Sequence, residues 1–363
     1  QGKSNLLEAV YMLAAGRAVR ASSDAELIGW QADPEPQPVA RVTGAVERAP
    51  GPLQLEAIIA GVGPAVSGLR VQARAGKRLR VNGIARRAAD FVGLMRAVLF
   101  NADDLSIVTG APSERRRFLD AMLTQMDRRY YAAGQRYARV LQQRNAVLKR
   151  VKDGLAAPDE LGFWDDSLVA EGSVMVQARL RACRLLAPLV AEHHHHLSGD
   201  AAEQLEVDYR PRLSDENDRA PDGIESLDDV TAALRDGLRR AARHEVAAGL
   251  SLVGPHRDDL AIRINAASAA AFGSRAQVRT ATLALRLAEA NLFHEDGGDA
   301  PLLLLDDIVS ELDERRRRSV LASIADFDQV WFTSTDTHGF EPSFMEGAHV
   351  YTVRGGQITE ALR

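Results

Sequence analysis

Two short stretches at opposite ends of the chain carry residue types that handle phosphate. Gly2-Lys3-Ser4-Asn5 runs straight into "LLEAVYMLAAG". G-K-S is the close of a G-x-x-x-x-G-K-[ST] loop, in which backbone N–H groups wrap phosphates, the lysine reaches the β and γ phosphates and the hydroxyl holds Mg2+. Far downstream, "PLLLLDDIVSELD" ends an apolar run in Asp306. That places a carboxylate at the tip of a buried strand, where a nucleotide site holds its Mg2+. Asp307, next along and pointing the other way, is placed to polarise an attacking water. A bare G-K-S arises by chance, and strands often end in a solvated Asp turn. Together, in this order and with a helix N-terminus that favours an anion behind Lys3, they point to a nucleotide-hydrolysing P-loop fold. Gly2, Lys3, Ser4 and Asn5 would face ATP, with Mg2+ held by Ser4 and Asp306 alone.

Between these halves sits "FGSRAQVRTATLALRLAEANLF". A polar turn, Gly273-Ser274-Arg275-Ala276-Gln277, feeds a helix with Leu283, Leu287 and Ala290 on its buried face. Its place just before the second carboxylate strand resembles the signature motif of ABC-type ATPases. There a serine, small residues and helix-terminal N–H groups contact the γ-phosphate bound on a second subunit, so ATP lies between two chains.

The elements that must position these residues follow from periodicity. At 363 residues, with 46% hydrophobic and 26% charged, the chain is long enough for one large or two ordinary domains. From Ser4 to about Leu99 it reads as mixed α and β, with a first helix closed by Gly16 and strands in "LEAIIAGV" and "KRLRVNG". From Pro112 to about Ala248 the texture is helical, with Tyr137, Val140, Arg144, Val147 and Val151 at helical spacing and further segments near Asp165–Leu189 and Ser226–Ala242. Strands return in "DDLAIRINA", "PLLLLDD" and "QVWFTST", and "HVYTVRGGQITE" is a terminal hairpin. The expected organisation is an ATPase lobe in residues 1–111 and 249–363, split by a helical lobe in 112–248.

Charge and composition narrow the partners. No stretch has the roughly 18 apolar residues of a membrane helix, and one cysteine, Cys183, excludes an internal disulfide. A cytoplasmic location is the default expectation. The net charge of −5 excludes a uniformly basic nucleic-acid binder, but arginines cluster at 115–117, 136–152, 235–243 and 315–318. With aromatics at 5% and no base-reading motif, any DNA contact is expected on the backbone, sequence-tolerant and salt-dependent. Arg115, Arg116, Arg136, Arg139, Arg144 and Lys149 are the candidates. His193–His196 reads as a solvated helix end, or a weak adventitious metal binder, since no carboxylate or cysteine is spaced to complete a metal site.

Several stretches carry a closer likeness. "GKSNLLEAVYMLAAGR", "VLFNADDLSIVTGAPSERRRFLDAML", "RYARVLQQRNAVLK", "VGPHRDDL" and "RTATLALRLAEANLF…LLLLDDIVSELDERRR" resemble the bacterial RecF family, relatives of SMC heads without the long coiled coil. The resemblance runs nearly end to end. It implies an α/β fold: an ABC-type P-loop ATPase head, a mixed sheet with flanking helices, bearing an inserted helical lobe. It further implies an ATP-driven homodimer that binds double-stranded and gapped DNA and hydrolyses ATP slowly with Mg2+. The setting would be the nucleoid, in recombinational repair and the SOS response, with RecO and RecR and in support of RecA. Carried onto this chain, Ser310, Glu311, Leu312 and Asp313 would form the D-loop. Asp103 or Asp104 would stand near the Q-loop position, and Thr335 or Asp336 in place of the switch histidine. His256 and Arg257 are expected to be structural. Two departures stand out. The family usually shows glycine in the signature turn where this chain has Ala276, and its first strand and the front of its phosphate loop lie ahead of Gln1. The expectation is that the natural chain begins earlier and that these residues alone bind ATP poorly. A hydrolysis-impaired scaffold for repair partners is the alternative reading.

Overall fold

The computed structural model describes residues 2–21, 23–29, 38–48, 51–62, 74–200, 202–214, 224, 226–296, 299–308, 312, 314–325, 327–335, 345 and 347–360. They fall into two compact units, Gln1–Asp103 with Phe293–Arg363, and Asp104–Leu292.

In the first unit, α1 (Lys3–Ala15) buries Leu7, Tyr11 and Ala14 at helical spacing. Gly16 ends it in the left-handed region at φ 65°, its N–H returning to the Met12 carbonyl. An antiparallel sheet follows in the order of the chain: β1 (Val39–Val46), β2 (Leu53–Val62), β3 (Arg74–Val81) and β4 (Ile84–Arg86). Its alternation puts Leu55, Ala57, Ile59 and Leu79 against Met12 and Leu13 of α1 and Phe91 of the short α2 (Ala88–Phe91). β5 (Ala97–Phe100) is buried on both faces, as an uninterrupted apolar run requires.

The second unit is mostly helical: α3 (Leu105–Thr109), α4 (Pro112–Met126), α5 (Arg128–Lys152) and α6 (Gly162–Ser198). Then come β6 (Leu205–Arg210), α7 (Leu227–Ala248), β7 (Asp259–Ile264), β8 (Ala267–Ser268), α8 (Ala269–Phe272) and α9 (Arg275–Glu295). β6, β7 and β8 form an antiparallel sheet, with Leu260, Ile262 and Ile264 buried on one face. Helix α6 runs nine residues past the expected end at Leu189. Pro188 sits inside it, and the buried face continues through Val190, His193, His194 and Leu197, so tertiary packing overrides the break that proline favours. Cys183, on the same face, is buried and its thiol pushed up to about 12 by loss of solvent.

The chain returns to the first unit with β9 (Leu302–Asp306), α10 (Glu314–Ile324), β10 (Val330–Thr333) and the hairpin β11 (Tyr351–Arg354) and β12 (Gln357–Glu360). β9 is the centre of a parallel sheet ordered β10-β9-β5. Leu302 and Leu304 of β9 and Ala97 and Leu99 of β5 pack on Leu7, Tyr11, Ala14 and Ala15 of α1. Two pieces of this core far apart in sequence, the helix behind Lys3 and the strand ending in Asp306, therefore lie against each other. Ligands of open parallel sheets gather at the carboxyl ends of the strands.

One backbone approach in the second unit is tight enough to test. A Cβ on Gly237 of α7 would lie 1.9 Å from the Leu213 carbonyl oxygen. Gly237→Ala is expected to destabilise by roughly 3 kcal/mol, read as a lower urea midpoint with secondary structure retained in buffer.

Candidate active site

The end of β9 is where the two phosphate-handling stretches meet. Asp306 is 8% exposed, and its carboxylate is met from three sides. Ser4 Oγ and Thr333 Oγ1 each donate to Oδ1 at 2.8 Å, and Arg20 Nη2 donates to Oδ2 at 3.2 Å. Parallel pairing puts Thr333 opposite Asp306. The Thr333 hydroxyl in turn accepts from the Asp307 N–H at 3.0 Å. Lys3 Nζ donates to the Ser334 carbonyl. One helix start and two adjacent strand ends thus bring Lys3, Ser4, Asp306, Thr333 and Ser334 together.

Asp307 leaves the strand in the left-handed region, φ 56°, costly for a residue with a Cβ and found mostly where surrounding structure or function requires it. It is exposed, whereas Asp306 is buried, so the two carboxylates occupy different environments. Gly2 also needs its positive φ of 111°, with Gly356 Cα 3.4 Å from where its Cβ would stand. Asn5 is exposed on the first turn of α1, where the leading amides have no intrahelical acceptor.

Arg20 was not legible as a site residue. It lies four residues past Gly16 and holds Asp306, Asp103 Oδ2 at 3.2 Å and Glu8 Oε1 at 3.3 Å. Burial raises the Glu8 carboxyl above the usual range, and Arg20 opposes that rise. Of the two neighbouring aspartates, Asp103 joins this cluster. Asp104 is buried in the second unit against Arg286, at 2.6 and 3.2 Å. Thr335 is exposed, while Thr333 and Ser334, just ahead of it, make the contacts. Asp336, and Ser310, Glu311 and Asp313 of the expected D-loop, lie outside the described residues. Leu312 is buried, its carbonyl accepting from Arg317.

An oxygen-only donor set suits a hard cation such as Mg2+, which takes one or two protein oxygens and leaves the rest to water and phosphate. Ser4 and Asp306, already 2.8 Å apart, fit that description. Among the described residues no cluster of three or more His, Cys, Asp or Glu side chains is arranged to hold a metal.

In the second unit, Ser274 to Gln277 open α9 as a reciprocal cap. Gln277 Oε1 accepts from the Ser274 N–H at 2.9 Å and Ser274 Oγ from the Gln277 N–H at 3.2 Å. Arg275 and Ala276 are exposed.

Two of the arginines expected on DNA are structural instead. Arg144 is 2% exposed and donates to Asp165 at 2.7 Å, Glu245 at 2.6 Å and Ser251 Oγ at 2.7 Å. Its place in the buried stripe of α5, with Tyr137, Leu148 and Val151, takes it out of reach of a phosphate. Arg115 is buried in a bidentate pair with Asp259, at 2.6 and 3.0 Å. Arg116 is half-buried on the Asp258 carbonyl, and Arg136 is exposed but paired with Glu171. Arg139 and Lys149 are exposed on the outer face of α5. His256 has both ring nitrogens engaged, with the Tyr137 hydroxyl at 2.7 Å and the Ser251 carbonyl at 3.1 Å. Burial pushes its pKa down to about 4. Arg257 donates to that same carbonyl.

The fold and the site define an ABC-type P-loop ATPase head with an inserted helical unit. The curated relatives agree on the family. The chain is 39% identical over 362 residues to DNA replication and repair protein RecF of Synechococcus sp. (strain JA-3-3Ab), covering 99% of this chain and 89% of that one. It is 40% identical over 350 residues to the RecF of Herpetosiphon aurantiacus, covering 95% and 87%, and 37% identical over 362 residues to that of Limosilactobacillus fermentum, covering 99% and 90%. The solved structures of the recombination mediator protein RecF-ATPrS and RecF-ATP in the RecFOR pathway superpose with a TM-score of 0.83 each. They are 28% and 27% identical and cover 100% of this chain and 90% and 89% of theirs. No protein-family model matches the chain. The chain belongs to the RecF family of DNA replication and repair proteins.

Removing Arg144 leaves the fully buried Glu245 carboxylate without its cation. Arg144→Ala is therefore expected to cost roughly 3–5 kcal/mol of stability, seen in chemical denaturation as a lost midpoint before any change in DNA affinity.

Proposed function

We propose that this chain is an ATP-dependent DNA clamp of recombinational repair, dimerising on ATP and hydrolysing it slowly as the step that times release from DNA. The observation that carries the reading is the Asp306 carboxylate held between Ser4 and Thr333, with Lys3 on the adjoining strand end. In this reading the first unit carries the nucleotide, with Lys3 neutralising phosphate and Ser4 and Asp306 holding Mg2+. When bound, that ion screens the negative charge gathering on the transferred phosphoryl group. Asp307, exposed beside it, takes the proton of the attacking water. Asp103 stands near the Q-loop position. Ser274, Arg275, Ala276 and Gln277 meet the γ-phosphate held by a second copy, and Ser310 to Asp313 form the D-loop across the dimer interface. RecF-ATP is the described state of one structural relative, which supports ATP as the nucleotide. Action with RecO and RecR at single-strand gaps, support of RecA and a cytoplasmic, nucleoid-associated place extend the family reading to this chain. Among the described residues no helix is long and apolar enough to cross a membrane.

The scaffold reading keeps one supporting observation, the methyl group of Ala276 where backbone has to approach phosphate closely. Turnover separates the two. In a chain extended to a complete G-x-x-x-x-G-K-S loop, Asp307→Asn is expected to lower DNA-dependent ATP turnover about a hundredfold, with ATP-driven dimerisation retained in light scattering. A dimer that forms with ATP and never turns over, in the unsubstituted chain, would favour the scaffold.

On the DNA side, the outer face of α5 is the proposed surface. Arg139→Ala and Lys149→Ala are each expected to lower the slope of log affinity against log salt by about one, equally on unrelated sequences. An unchanged slope would move the site off α5.

A further inference from the structure

The run of histidines at the end of α6 was expected to sit in solvent. Instead His193 and His194 are buried, at 8% and 0% exposed. His193 Nε2 meets Asn291 Nδ2 of α9 at 3.0 Å. His194 Nε2 lies 2.8 Å from Glu203 Oε1, and Glu203 Oε2 accepts from Gln277 Nε2 at 2.5 Å. The end of α6 thus holds α9 at Asn291 directly and at Gln277 through one carboxylate.

The donor inventory fixes the direction of each bond. A carboxylate can only accept, so the NH2 of Gln277 has to face Glu203. That leaves Gln277 Oε1 pointing at the Ser274 N–H, where it accepts at 2.9 Å. Burial lowers the pKa of His194, so its neutral ring donates through Nε2 and its buried Nδ1, which has no partner among the described residues, stays unprotonated. Every orientation in the chain His194, Glu203, Gln277, Ser274 follows from the one before. A glutamine cap without such a neighbour has two amide orientations, and only one of them caps Ser274.

We propose that Glu203 is a positioning residue for the Ser274 turn: fixed by His194 and acting through Gln277, it selects the cap in which the turn meets ATP on a second copy. This rests on the reading of Ser274–Gln277 as the contact made across the dimer, and deepens it by naming what holds that turn before nucleotide arrives. Hydrogen bonds to an ionised acceptor are about twice as strong as neutral ones, so the carboxylate is the member of the chain whose loss matters most.

The test has two arms. The first needs no nucleotide: hydrogen exchange of the amides at 274–277 in the unsubstituted chain, Glu203→Ala, Gln277→Ala and the double variant. Glu203→Gln keeps the size of the side chain and guards against loss of fold. Glu203→Ala and Gln277→Ala are each expected to speed exchange there about tenfold, the double variant no further, with far-UV circular dichroism in buffer unchanged. In the second arm, on the chain extended to a complete phosphate loop, the same variants are expected to weaken the ATP-driven dimer about tenfold. Their affinity for ATP as monomers should not change. Unaltered exchange in Glu203→Ala, or effects of the two single substitutions that multiply in the double variant, would overturn the proposal. If exchange behaves as expected while the unsubstituted extended chain stays monomeric in ATP, the hold on the turn stands and the trans reading is what fails.

Discussion

A carboxylate sealed from water has to be met by charge and hydrogen bonds from every side, and the helical unit is arranged around one such group. Asp258 is 0% exposed. It accepts from Arg179 at 2.9 Å, from the Tyr209 hydroxyl and from the Arg212 N–H at 2.7 Å, while its own carbonyl takes Arg116. Burial raises its pKa and Arg179 opposes the rise. Arg179, equally buried, also donates to Asp120, to the Tyr130 hydroxyl and to the Pro255 carbonyl. A charge so placed gains little over an apolar core, but removing any partner strands the others. The constraint therefore acts mainly on sequence: α4, α5, α6, β6 and the turn before β7 each have to supply a fixed residue at a fixed place.

Three stretches quoted above for their likeness to the family supply much of this framework. "SERRRFLD" supplies Arg115, Arg116 and Asp120; "QRNAVLK" supplies Arg144 and Asn145; "GPHRDDL" supplies His256, Arg257, Asp258 and Asp259. Their side chains are engaged with one another and with nearby backbone, as in the Ser251 N–H and hydroxyl both donating to Asn145. Arg115 and Arg144, which look like part of a basic DNA surface in one dimension, are internal struts of a helical body. The candidate nucleotide site is built differently, from a few short polar contacts on Asp306 at the rim of an otherwise apolar parallel sheet.

Legibility in the sequence follows the same division. Strands with clean alternation or unbroken apolar runs, β7 and β9, stand where periodicity puts them, and Gly16 closes α1 as its position suggests. The pairing of Ser4 with Asp306 was readable because each belongs to a motif whose chemistry needs the other. Arg20 was not, because an arginine in a loop has no pattern until the fold brings Glu8, Asp103 and Asp306 to it. Arg144 carried both signals at once, a basic residue in an apolar stripe, and burial decided between them. The histidines at 193–196 suggested a helix end in solvent. Local propensity was overruled there by the continuing buried face of α6, a tertiary effect that no window of neighbouring residues contains.

Cys183 gives the helical unit a private reporter. The one thiol in these 363 residues is buried on α6, a turn from Arg179, and its pKa of about 12 leaves almost no thiolate at neutral pH. An alkylating reagent in solution meets it only when α6 parts from its neighbours. Its labelling rate is thus a clock for the opening of the buried face of α6.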